Sequence, residues 1–65
     1  MIDIEKTREE LGLTIAQMSR AMGVHRNTYY KWEKEIHKPD NSAIKLMKMI
    51  VWLNNKNLLN EFMKL

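Results

Sequence analysis

The 65-residue chain contains no cysteine. No disulfide can staple it and no thiolate-ligated zinc can form, which fits a reducing cytoplasm. Its longest apolar run, Met49–Leu53, is five residues, far below the ~20 needed to span a bilayer. Residues 1–15 hold Asp3, Glu5, Glu9 and Glu10 and no apolar stretch of the kind a secretory signal needs. Histidine occurs only at positions 25 and 37 and serine only at 19 and 42. No paired metal ligands, no activated nucleophile and no glycine-rich phosphate loop can be assembled from this set. The expectation is a cytoplasmic protein with no catalytic residue, no metal, no cofactor, no small-molecule ligand and no membrane partner. At this length there is room for one domain, residues 1–65, with a small core. A partner subunit is a common remedy for such a core.

What is present is a basic middle. Net charge is −2 over residues 1–10, +3 over 11–39 and +2 over 40–65. Arg20, Arg26, Lys31, Lys34 and Lys38 outnumber Glu33 and Glu35 in the central stretch, a distribution that suits a polyanionic partner or a solvated face.

Two glycines and one proline divide the chain. Asp3 suits the cap of a first helix ending at Leu11 before Gly12, with Ile4, Arg8 and Leu11 on its inner face. Thr14 and Gln17 have capping-box spacing for a second helix that buries Met18, Ala21 and Met22 and stops at Gly23. A third helix is expected from Arg26 to Lys34 or Glu35. Its inward set is Tyr29, Trp32, Glu33 and Ile36; its outward set is Arg26, Asn27, Tyr30, Lys31 and Lys34. His25, at its start, caps it or touches phosphate. Pro39 disfavours helix at Lys38, so 36–39 reads as loop. Asp40, Asn41 or Ser42 can cap a fourth helix reaching Leu53 or Asn54. A turn at 54–57 leads to a short fifth helix with Leu58, Leu59, Phe62 and Met63. The fold class is all-α.

Two short helices joined by a tight glycine turn, the second polar and basic on one face, form a helix-turn-helix plan. It covers about 14–35. The run Leu11-Gly12-Leu13-Thr14, Met18, Gly23-Val24, Trp32-Glu33 and Lys38-Pro39 resembles the phage repressor and Cro (XRE-type) family of regulators, over roughly residues 4–53. The resemblance implies a compact five-helix, lambda-repressor-like domain that binds double-stranded, palindromic DNA as a homodimer. It puts Arg26, Asn27 and Lys31 at base-contacting positions. Their chemistry agrees: Arg or Lys donates to guanine O6 and N7, and Asn pairs with adenine. Thr28 and Tyr30 flank them as candidates for phosphate or sugar, and Lys34, His37 and Lys38 are candidates in the loop. Arg8 and Glu33 fall where the family often carries a partly buried ion pair.

Two departures matter. Many relatives start the second helix with a DNA-contacting Gln, where this chain has Ile15. Ile15 could touch a thymine methyl or sugar, leaving Gln17 and Ser19 to share the phosphate contact beside Thr14, although Ser19 also stands where the family usually has a small core residue. Glu35 stands where a glycine often ends the third helix, so that helix is expected to run on.

The fourth helix is apolar nearly all round: Ala43, Ile44, Leu46, Met47, Ile50, Val51 and Leu53 cover a broad face, Trp52 falls about opposite it near Lys45 and Lys48, and Met49 lies between. Either the fifth helix covers Trp52 or this face meets a second copy. The expected dimer surface lies on helices four and five, about 41–64, with Met49, Trp52, Leu59 and Phe62. Taken together, the expected function is a dimeric (auto)repressor at an inverted repeat. Its placement among phage or mobile-element proteins, such as anti-CRISPR-associated repressors, is by analogy. An antitoxin and a protein-interaction module on the same scaffold are the alternatives.

Overall fold

The computed structural model describes residues 3–65. Among these, five helices run in chain order: α1 (Ile4–Leu11), α2 (Ile15–Met22), α3 (Arg26–Glu33), α4 (Asn41–Asn55) and α5 (Leu59–Met63). No strand occurs among the described residues. Among the described residues, no helix is long and apolar enough to cross a membrane.

Local chemistry sets the boundaries. The Asp3 carboxylate accepts the Lys6 amide at 3.0 Å and starts α1. Thr14 and Gln17 close a reciprocal capping box on α2, with bonds of 3.1 and 2.9 Å. Asp40 accepts the Ala43 amide at 2.8 Å and starts α4. Side-chain acceptors here satisfy amides that have no partner inside the helix.

The first four helices end in one way. A residue in the left-handed region donates its amide three residues back, and the next residue donates five back. The pairs are Gly12 with Leu13, Gly23 with Val24, Glu35 with Ile36 and Asn57 with Leu58. This is the Schellman stop, which occupies the last free carbonyls of a helix. Gly12 and Gly23, at φ 73° and 70°, adopt that conformation without a Cβ penalty.

At α3 the expectation is corrected. The helix does not run on through Glu35; it ends at Glu33, and Glu35 itself takes φ 60°. The backbone geometry a glycine would supply is kept without the glycine. Leaving the helix there also changes the direction of Ile36. Helical periodicity no longer applies to it, and instead of pointing inward it is 60% exposed. Glu35→Gly should therefore raise stability by about 1 kcal/mol, the cost of a side chain in the left-handed region. The check is a thermal melt: no rise in midpoint would mean that Glu35 is not strained.

Six side chains form the centre of the core: Met18 and Met22 from α2, Tyr29 from α3, Met47 and Ile50 from α4, and Leu59 from α5. Each such fully buried apolar side chain contributes about 1.5–3 kcal/mol. Trp32 meets Tyr29 edge-on at 6.1 Å between ring centroids. Helix α2 packs on α3 and α4, α1 on α3 and α4, and α5 on α4. Helix α3 is therefore gripped along one side only.

Candidate nucleic-acid interface

The free side of α3 follows from its sequence. Tyr29 is fully buried, and Trp32 and Glu33 are half-buried. Arg26, Asn27, Thr28, Tyr30 and Lys31 are all exposed, as is Lys34 at the C-cap. The inner residues hold the helix, and the outer ones present two cations and an amide within six positions. Lys34 lies with its ammonium 5.6 Å from the Tyr30 ring centre, a cation–π contact at the C-terminal end of this face.

Both ends of α3 are fastened. At the start, His25 Nδ1 accepts the Asn27 amide at 3.1 Å. At the end, the Glu33 carboxylate accepts from Arg8 Nε at 2.6 Å and from Arg8 Nη2 at 3.4 Å. Arg8 Nη1 also donates to the Leu13 carbonyl at 2.9 Å, so one guanidinium ties α1 to α3 and to the turn before α2. The Glu33 side chain is 1% exposed and that of Arg8 14%. The Glu33 hydrogen bond raises the Arg8 pKa above its already high value, against the opposing effect of burial. Burial, and then Glu33, push the Tyr29 phenol upward too. The buried Tyr29 hydroxyl has no hydrogen-bond partner of ordinary geometry. The Arg8–Glu33 pair that the family resemblance implies is thus present in bidentate form.

The residues preceding and opening α2 divide into three kinds. Thr14 and Gln17 are exposed, and their capping bonds still leave the Thr14 hydroxyl proton and the Gln17 amide protons free to donate. Ile15 is half-buried and packs against the core, so its side chain has a structural task as well. Of the two readings of Ser19, the structure supports the small core residue. It is 4% exposed and its hydroxyl donates to the Ala16 carbonyl at 3.0 Å, which removes it from any contact with phosphate. His37 and Lys38 are exposed in the loop leading to Pro39.

A second surface lies on α4 and α5. Trp52 is 55% exposed, so α5 does not cover it; Lys56 Nζ sits 5.8 Å from its ring centre. Met49 is also exposed and Phe62 half-buried. Leu59 departs from the expectation. It is turned into the core of its own chain, because α5 docks on α4 through it. The exposed neighbour is Leu58, a residue the sequence reading placed in the helix without assigning it a surface.

No group of His and carboxylate residues that could hold a metal ion occurs among the described residues. Two depressions are open and shallow: an apolar groove of about 270 Å³ beside Met22, Trp32 and Leu46, and a polar one of about 310 Å³ beside Gly12, Asn54 and Asn60.

With two short helices at a glycine turn and a polar, basic outer face on the second, the geometry is that of a helix-turn-helix unit. A sequence model of the helix-turn-helix family matches residues 4–47. The chain belongs to that family, of the repressor and Cro type, whose members are DNA-binding transcriptional regulators. No curated protein and no solved structure matches it.

Proposed function

We propose that the protein is a homodimeric, sequence-specific repressor that inserts α3 into the major groove at each half of an inverted repeat. The observation that carries this reading is the outer face of α3. Arg26, Asn27 and Lys31 are all exposed on a helix fastened at both ends. Residues of these types read base edges when a rigid helix presents them. Thr14, Gln17, Thr28, Tyr30, Lys34, His37 and Lys38 surround this face as phosphate and sugar contacts, and Ile15 supplies an apolar one. His25 borders it.

The dimer forms through Met49, Trp52 and Phe62, joined by Leu58. Trp and Met at an exposed site are the residue types enriched in interface centres. One subunit measures 31 × 23 × 20 Å. Two copies paired on α4 and α5 are of the size to hold their α3 helices about 34 Å apart, one turn of DNA. Trp52→Glu should then be monomeric by sedimentation at micromolar concentration, with its helical spectrum kept. A Trp52→Glu protein that stays dimeric places the interface elsewhere.

The test of the whole reading is selection from randomised duplex DNA, followed by affinity for the winner and for a scramble at two salt concentrations. An inverted repeat preferred by at least ~10³-fold is the expected result. Recovery of no sequence, with binding abolished at physiological salt, would reduce the basic face to a charge patch. Repression is then read as loss of reporter expression when the selected site overlaps a promoter.

A further inference from the structure

We propose that His25 is a proton-sensitive clamp on the start of α3, holding the backbone of Asn27 in place only while its imidazole is neutral. The inference rests on the reading of α3 as the DNA-recognition helix.

Four helices here begin with a side-chain cap, and three of those caps are oxygens: Asp3, Thr14 and Asp40. The fourth is a ring nitrogen. His25 has extended backbone angles, φ −67° and ψ 144°, and its Nδ1 accepts from Asn27 N–H. A hydroxyl or an ionised carboxylate stays an acceptor throughout the neutral range. An imidazole does not, because its protonated form has two N–H donors and no lone pair to offer. Among the capped helices, α3 is the one whose cap a single proton abolishes.

Two consequences follow from the geometry. With Nδ1 accepting, the neutral ring must carry its proton on Nε2, so one tautomer is selected. The ring is exposed, and Nε2–H is its remaining donor. Protonation also has a second cost beyond the lost bond. It puts a cation at the positive end of the α3 dipole. The charged groups on the two helices that meet at His25 reinforce this cost. Arg20 lies in the last turn of α2 and Arg26 is the first residue of α3. Helix α2 has no acidic residue, and Glu33 is at the far end of α3, engaged by Arg8. The cap therefore holds while the ring is neutral and is lost when the ring gains a proton.

The amide that is released belongs to Asn27, a proposed base-reading residue. DNA phosphates attract the imidazolium, so acid keeps or raises affinity for any duplex while base discrimination falls. That divergence marks the clamp.

The experiment has two arms. In the first, DNA is absent, and the imidazole nitrogens of ¹⁵N-labelled protein are correlated with their carbon-bound ring protons across a pH titration. The expected result is the Nε2–H tautomer for His25 at about pH 8, with the Asn27 amide shifting in step with the His25 ring. An Nδ1–H tautomer, or an Asn27 amide indifferent to that titration, overturns the proposal. In the second arm, wild type and His25→Ser are compared on the duplex that wild type selects at about pH 8 and on its scramble. Serine caps without a labile proton. From about pH 8 to 5.5 the preference of wild type for its duplex should fall about fivefold per subunit, the fold-change of a cap worth ~1 kcal/mol. His25→Ser should hold its preference. An equal fall in both assigns the pH effect to another group, His37 included, and overturns the clamp. If the selection recovers no sequence, it is the DNA reading that fails, and the first arm still decides the clamp.

Discussion

Glu33→Ala should lower stability by about 3–5 kcal/mol, the loss seen when one member of a buried ion pair is removed and the other keeps its charge. The reason lies in what Arg8 is left with. Its guanidinium is mostly buried and now donates to Leu13 alone, with two of its three hydrogen bonds gone. A 65-residue domain has about 3–10 kcal/mol in total at the usual stability per residue. The substitution is therefore large enough to unfold a sizeable fraction of the protein at 25 °C. In a thermal melt followed by circular dichroism, the midpoint should fall by about 15 °C or more. Glu33→Gln separates charge from hydrogen bonding, since it keeps an acceptor for Arg8 and loses the anion, and it should melt between the two. A Glu33→Ala midpoint within a few degrees of wild type would mean that the pair is incidental. Function should follow stability here, because the same pair fixes the far end of the recognition helix.

Asn27→Ala should leave the fold unchanged and erase one letter of the recognised sequence in each half-site. The His25 cap survives, because its donor is the backbone amide at position 27, which alanine retains. What is lost is the side-chain amide, whose paired donor and acceptor match adenine in the major groove. A good bidentate contact discriminates by about 1–3 kcal/mol, or roughly 5- to 150-fold. Repeating the duplex selection with the variant should yield a motif identical to that of wild type except at one position per half-site. A motif unchanged throughout would remove Asn27 from the base contacts; a general loss of affinity with the motif intact would make it a backbone contact.

Most of the framework of this protein could be read from single residues and their spacing. Asp3, Thr14 with Gln17, Asp40, Gly12 and Gly23 are local signals. Each acts on amides or carbonyls within five residues, so no knowledge of the fold is needed to interpret them. The inner face of α3 was legible in part for the same reason. Tyr29, Trp32 and Glu33 share a helical side. Ile36 was placed on that side wrongly, because the helix had already ended. A glycine would have announced the end; the left-handed conformation at Glu35 carries no such sequence signal. Ser19 and Leu59 show the complementary limit. Serine is equally at home binding phosphate or an i−3 carbonyl, and leucine suits a core or an interface.

The sequence by itself thus determined the helices, their order and the polar outer face of α3. These depend on short-range hydrogen bonding and on helical periodicity, both written in neighbouring residues. Only the tertiary structure decided which apolar side chains were left over. Helix α5 docks on α4 through Leu59 and leaves Trp52 and Leu58 in solvent. That choice is made by how the helices pack as whole surfaces, and a one-residue difference along a helix turns a side chain by about 100°.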